Sequence, residues 1–384
     1  MDDGSPTGQP VPHPPVPPHG DNDDLPRRAG VEAMSSLFSS SKARIKAYLQ
    51  SVPWLWRAYW RAKQQVKRMV LLRFFVYDIR HSYRSMFWES NLTVRRTLSA
   101  EMLFQYHKLE KGLVMPGPRR LFGVEPASRV AELVARWEDC QHPTSDPIYR
   151  GALETLHCYA DHVERYGLDS SGRILPVLKV FFQSRSARTH ELSTPCALPA
   201  SKLDGGHEPF AAFRQLAESR RSVRGFKTSK IDPEIISRAV SVAQLSPSAC
   251  NRQPCRLYVV SDADRCKLLL SYQNGNRGFG HTAPHVGILT SDESCFFDAS
   301  ERHEPYIDGG LFAMSLLLAF RAQGIGSCCL NWCVAPANDL AIHALFDIPE
   351  SERIVMLLAF GYPEEACCVP RSPRRMLSEV LVER

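Results

Sequence analysis

Three guanidinium groups and a hydroxyl fall within five positions at Arg220-Arg221-Ser222-Val223-Arg224. Arginine presents a planar fork of donors, so this cluster has the groups to surround a phosphate, although a solvated basic turn uses the same residues. A second set follows at Ser246-Pro247-Ser248-Ala249-Cys250-Asn251-Arg252-Gln253-Pro254. Its hydroxyls and amides donate and accept, which suits a heterocycle or a polyhydroxyl chain; an ordinary Asx-type turn has the same composition. A third runs from Asp308-Gly309-Gly310 through an apolar stretch to Gly324-Ile325-Gly326-Ser327-Cys328-Cys329-Leu330-Asn331-Trp332. A helix apolar all round belongs at the centre of a domain, and the Gly-x-Gly after it ends the helix and lets backbone approach something flat. The last set is Phe360-Gly361-Tyr362-Pro363, followed by a basic cluster, Pro370-Arg371-Ser372-Pro373-Arg374-Arg375.

In this order, the four sets resemble the nitroreductase family of flavoenzymes, over residues 209–384. The elements that carry the likeness are Arg-Arg-Ser-x-Arg, Pro-Ser-x-x-Asn-x-Gln-Pro, the helix ending in Gly-Ile-Gly-Ser-Cys, and Gly-Tyr-Pro with the terminal Arg-Arg. The resemblance implies an α+β fold of three layers, a central mostly antiparallel sheet flanked by helices, and a homodimer with FMN at its interface. It implies that Arg220, Arg221, Ser222 and Arg224 hold the phosphate, ribityl chain and pyrimidine edge, and that Arg374 and Arg375 complete the phosphate site. Ser248 and Asn251 would reach the FMN of the other subunit. Cys329, Leu330 and Asn331 would lie by the flavin face, and Asn276 would add a ring contact. The implied cycle is ping-pong, from NAD(P)H through FMN to a small-molecule electron acceptor. The flavin carries the hydride, so the protein needs binding, orientation and charge rather than an acid–base dyad. Arg224 is the candidate cation beside N1 and O2. Two features depart from the family pattern: Cys255 stands after Pro254 where an aromatic is common, and a long N-terminal extension precedes the domain.

These residues need a scaffold. Asp232-Pro233-Glu234 is a helix start, with an N-cap acceptor, a first-turn proline and an acid near the positive dipole end. Strands are expected at 256–260, 286–290 and 354–360, with helices near 262–270 and 308–323. Upstream, residues 1–40 read as a disordered Pro-rich tail, 41–182 as a mainly helical region, and 183–208 as a linker. Within the helical region, His107-Lys108-Leu109-Glu110-Lys111-Gly112-Leu113 is dense in titratable groups, and the spacing predicts a helix end capped at Gly112.

From Lys42 to Trp88 eleven Lys and Arg are interleaved with aromatics. The pattern suits a peripheral membrane contact or an anionic polymer; it also suits a helix packing its aromatic side on the catalytic domain. No nucleic-acid motif accompanies it, so no nucleic-acid partner is expected. The 384 residues carry a formal charge of +6, with 44% hydrophobic and 23% charged residues, as in globular chains. The twelve cysteines form no paired C-x-x-C knuckles, so neither a metal site nor a disulfide framework is expected, and reduced thiols in a cytoplasmic protein fit better. The rival functions are an FMN oxidase or dehydrogenase that does not use NAD(P)H, and an accessory flavoprotein tethered to a membrane or complex.

Overall fold

Backbone hydrogen bonding and two-sided burial build the C-terminal half around one sheet. The computed structural model describes residues 48, 50–86, 92–115, 119–185, 209–370, 374 and 376–384. The expected tail at 1–40 and most of the expected linker at 183–208 lie outside them. The chain divides between Arg73 and Phe74 into two units.

In the first unit and across that boundary runs one helix, α1 (Pro53–Ser85), none of whose residues is buried. Trp54, Tyr59, Trp60, Phe75 and Tyr83 are exposed, whereas Trp56, Phe74 and Tyr77 are half-buried and the Tyr77 hydroxyl donates to Asp339 at 2.5 Å, so part of the expected packing of aromatics on the C-terminal domain is found.

In the second unit four helices come first: α2 (Arg95–Val114), α3 (Val124–Asp139), α4 (Pro147–Arg165) and α5 (Leu175–Gln183). They share a core of their own that includes Leu98, Met102, Leu109, Val130, Val134, Trp137, Tyr149 and Leu156. Trp137 is fully buried and its indole N–H donates to Pro143 O at 3.1 Å. Asp146 caps α4 by accepting from Ile148 N at 2.9 Å and also holds Arg95 of α2. The helix predicted to stop at Gly112 runs on to Val114. Gly112 is there for space instead, because a Cβ would lie 2.1 Å from the Phe122 ring.

The α+β part follows, with α6 (Pro209–Ser219), α7 (Pro233–Ala243), β1 (Cys255–Val260), α8 (Ala263–Ser271), β2 (His285–Asp292), α9 (Glu304–Ala322), β3 (Gly326–Asn331), α10 (Pro336–Leu345), β4 (Glu352–Gly361) and α11 (Leu377–Val380). The predicted start of α7 is seen: Asp232 accepts from Glu234 N at 2.8 Å with Pro233 in the first turn. The sheet order is β1-β2-β4-β3, and every pairing is antiparallel. Side chains of β4 alternate between two cores. Leu357 and Ala359 pack with residues of α8 and α10, whereas Leu358 and Phe360 pack with α7 and α9. Period-two alternation with both faces covered gives the expected three layers. Among the described residues ten cysteines are free, but Cys158 is disulfide-bonded, so the thiols are not uniformly reduced.

Trp137→Ala should remove the largest side chain of the helical core. An expected loss of about 3 kcal/mol, read as a shifted urea midpoint in the full chain, checks the assignment; an unchanged midpoint contradicts it.

Candidate functional site

The arginine cluster is placed by the open edge of β3. Val223 N donates to Ser327 O at 3.0 Å, and Ser222 forms a parallel bridge with Ser327. Farther on, Lys227 N donates to Tyr362 O at 2.8 Å and Glu364 N to Gly225 O at 3.1 Å. Val223 and Phe226 are buried and anchor the segment. In an extended chain the neighbours of Val223 face the other way; Arg224 is exposed, whereas the half-buried Ser222 side chain hydrogen-bonds the buried Cys328 thiol. Gly326 makes the docking sterically feasible: a Cβ there would lie 2.8 Å from Val223. Gly324, at φ +77, does end α9 as expected.

Along β3 burial alternates. Cys328 and Leu330 are buried while Cys329 and Asn331 are exposed, which leaves two polar positions on an open face. Burial pushes the Cys328 thiol up, against the opposing pull of Arg224 and a Ser222 hydrogen bond. A thiol held protonated is a packing group, not a nucleophile. The loop after α8 closes on the end of this strand: Gln273 Nε2 donates to Asn331 O at 3.0 Å and to its side-chain oxygen at 3.2 Å. Arg224 lies 5.8 Å from the Phe279 ring centroid on the same loop. Asn276 is in that loop, but its amide donates to Leu270 O at 2.8 Å and to Gln273, so it organises the turn. The structure thus brings together Arg220, Arg221, Ser222, Arg224, Cys329, Leu330, Asn331 and the Gln273–Phe279 loop. Arg374 is exposed, and Arg375 lies outside the described residues.

Ser248 and Asn251 are elsewhere. Their loop sits against the beginning of α9, where Ala249 N donates to both carboxylate oxygens of Asp308 at 3.2 Å. The arginine cluster adjoins the other end of α9, where Arg321 donates to Ser219 Oγ at 3.0 Å. Asp308 and Arg321 are separated by about 20 Å of helix. Within one chain these sets do not meet.

The loop is costly to hold. Cys250, Asn251 and Gln253 have φ of 51, 55 and 50, a region that side chains other than Gly rarely adopt. Ser248 Oγ accepts from Gln253 N at 3.0 Å. Arg252, which the motif did not single out, is fully buried: its guanidinium donates to Ala249 O at 3.0 Å and grips Glu301 with bonds of 3.1 and 2.5 Å. It also packs on Phe296, Phe297 and Phe104. From the helical region Arg96 donates to Pro254 O at 2.6 Å, so α2 braces the loop from outside. Burial pushes the Asp308 carboxyl up to about 6, although the Ala249 N–H pulls the other way.

This arrangement has counterparts. The nitroreductase family matches residues 217–272 and 264–362, which between them contain the docked cluster, the loop and all four strands. Residues 217–362 form a nitroreductase-family domain. A protein of Archaeoglobus fulgidus with the provisional name NADH dehydrogenase/NAD(P)H nitroreductase is 27% identical over 151 residues, covering 38% of this chain and 83% of that protein. Iodotyrosine deiodinase of Haliscomenobacter hydrossis is 27% identical over 199 residues, covering 45% and 88%. A solved nitroreductase-like protein from Streptococcus mutans is 21% identical and covers 46% of this chain and 99% of its own, with a TM-score of 0.40. The nitroreductase domain is a flavin oxidoreductase domain, preceded by a long N-terminal region.

Removing Arg252 leaves Glu301 without its bidentate partner and frees the strained loop. Arg252→Ala should cost about 3 kcal/mol in urea unfolding, and Arg252→Lys should not restore it, because one ammonium cannot make the fork. Full recovery with lysine would contradict the assigned role.

Proposed function

We propose that this chain is an FMN-dependent oxidoreductase that acts as a homodimer, taking hydride from NAD(P)H and passing electrons to a small-molecule acceptor. The observation that carries the reading is the cluster docked on β3. Arg220, Arg221, Ser222 and Arg224 are fixed by backbone bonds beside the open positions Cys329 and Asn331. That donor set fits a phosphorylated isoalloxazine: guanidiniums and a hydroxyl for the phosphate and ribityl chain, and an exposed strand face for the ring system. Arg224 is the cation for the pyrimidine edge, and Arg374 and Arg375 belong to the phosphate side. When bound, FMN supplies the hydride chemistry.

Distance supports the dimer. Ser248 and Asn251 sit about 20 Å of helix away from the arginines of their own chain, so they serve the FMN held by the other subunit. Along α9, Tyr306, Ile307, Leu311 and Met314 form an exposed apolar stripe that a second copy would cover. The NAD(P)H donor is supported by the name of the A. fulgidus relative. The deiodinase names among the relatives favour a second reading, a flavoprotein that dehalogenates and does not take hydride from nicotinamide directly.

Titrating apo-protein with FMN should give saturable binding, weakened about tenfold or more in Arg224→Ala, the size expected for losing a charge-assisted hydrogen bond. Anaerobic mixing with NADPH or NADH should bleach the bound flavin. Failure to bleach with either supports the second reading, and failure to bind FMN removes both.

A separate feature supports peripheral attachment to a membrane. Over residues 54–71, at about 100° per residue, Trp54, Leu55, Tyr59, Val66, Met69 and Val70 share one half of α1, although farther along Arg73, Arg80 and Arg84 fall on that half too. Arg57, Arg61, Lys63, Lys67 and Arg68 take the other half, with Trp56, Trp60 and Leu71 among them. No described helix is long and apolar enough to cross a membrane. A basic helix with exposed aromatics instead lies in the headgroup region. Full-length protein should sediment with vesicles rich in phosphatidylglycerol and not with phosphatidylcholine alone. Met69→Glu with Val70→Glu should abolish the association; retention by that variant rejects this helix as the contact.

A further inference from the structure

The helical region contains a second basic site that the flavin reading does not use. A cavity of 610 Å³ lies between the last turns of α2, the segment 119–123 before α3, and α4. Lys108, Lys111, Arg119, Arg120 and His162 line it, and no carboxylate does. Glu110 meets His107 at 3.2 Å and Glu101 meets Arg129 at 3.5 Å; Glu101 also attracts Lys108, whose ammonium donates to Gln105 at 3.0 Å and lies over the Phe104 ring. Neighbouring cations also act on one another. The His162 ring is held below its ordinary value first by burial and then by Arg119 and Arg165. Burial likewise pulls the Lys108 ammonium down.

The cavity is also shaped. Phe122 forms its apolar floor, packed edge-on against Tyr159 and His162, and fits only because Gly112 lacks a Cβ. Arg119 is steadied over the Tyr166 ring at 5.2 Å. The first turn of α3 opens beside it, and its N-cap, Gly123, offers no side-chain acceptor. The Arg119, Arg120 and Lys111 side chains, with no carboxylate lining the cavity among the described residues, surround an aromatic floor and suit a ligand with clustered negative charge and a flat or apolar part.

We propose that this cavity binds a phosphorylated small molecule carrying two or more phosphate charges, held by Lys111, Arg119 and Arg120 with its apolar portion on Phe122. It is separate from the flavin cluster, so its occupant acts as an effector or a second ligand of the chain. The same chemistry occurs in a phosphorylated lipid headgroup, and the test separates the two sources.

The probe is inorganic pyrophosphate, titrated calorimetrically into the full chain at low ionic strength with saturating FMN. Binding is expected, weakening with added salt. Arg119→Ala with Arg120→Ala should weaken it at least about tenfold while leaving the circular dichroism and the FMN affinity unchanged. Arg220→Ala with Arg224→Ala, which removes the flavin cluster's grip, should leave pyrophosphate binding intact. Absence of binding to the wild-type chain, or loss in the second pair of substitutions rather than the first, overturns the proposal. Binding to phosphatidic acid vesicles through Arg119 and Arg120 without binding of pyrophosphate overturns the soluble-ligand assignment. Gly112→Ala, which displaces Phe122, should weaken the binding of a nucleoside diphosphate more than that of pyrophosphate; equal effects would remove the floor from the site.

Discussion

One short backbone contact organises the catalytic half of this protein: the residue at 223 adds itself to the edge of β3. An unpaired strand edge is a row of donors and acceptors that something must satisfy. Here the Val223 N–H meets Ser327 O, and Val223 and Phe226 drop into the core on either side of Arg224. The arginines are therefore positioned by main-chain bonds and apolar anchors. The Arg221 guanidinium donates back to Arg220 O at 2.9 Å, and the guanidinium of Arg224 is exposed. Gly326 is the condition for this, since any side chain there would collide with Val223 and Pro363.

The loop at 246–254 uses the opposite strategy. Its backbone is in unfavourable conformations, so side chains must hold it, and they are drawn from three distant parts of the chain: Asp308 at the start of α9, Glu301 before it, and Arg96 from the helical region. Left-handed conformations at non-glycine residues persist only where surroundings over-determine them. The involvement of Arg96 gives the N-terminal extension a structural role in the nitroreductase domain: it packs on the loop's outer side and leaves Asn251 exposed.

What was legible in the sequence follows from the range of the forces involved. The start of α7 and three of the four strands were readable because capping and period-two burial act over a few residues, whereas β3, entered through Gly326 and only partly alternating, was not expected as a strand. The ordered motifs identified the family because four weak patterns in sequence constrain one another. Gly112 was misread because it was assigned a local backbone role, whereas its partner, Phe122, comes from another segment; the dependence of Gly326 on Val223 was hidden for the same reason. Arg252 sat inside a recognised motif, yet its partner lies 49 residues away. Neither its complete burial nor its ion pair leaves a local trace. Asn276 illustrates the converse, since an amide that looked available to a ligand is consumed by its own loop.

The exposed stripe of α9 accounts for one further oddity of the sequence. The helix is apolar nearly all round, which a helix covering one face of a sheet does not require. Phe312, Leu316 and Phe320 satisfy the core, yet Tyr306, Ile307, Leu311 and Met314 are apolar where a single chain would be better served by polar residues. Large contiguous apolar patches on an isolated surface carry a solubility cost. The same helix also separates two sets of polar residues whose chemistry is complementary. In the proposed homodimer, a second copy of the chain covering the stripe would remove both problems together, hiding the apolar face and carrying Ser248 and Asn251 toward arginines they cannot reach at home. The composition of α9 and the division of the site are then one constraint seen from two sides.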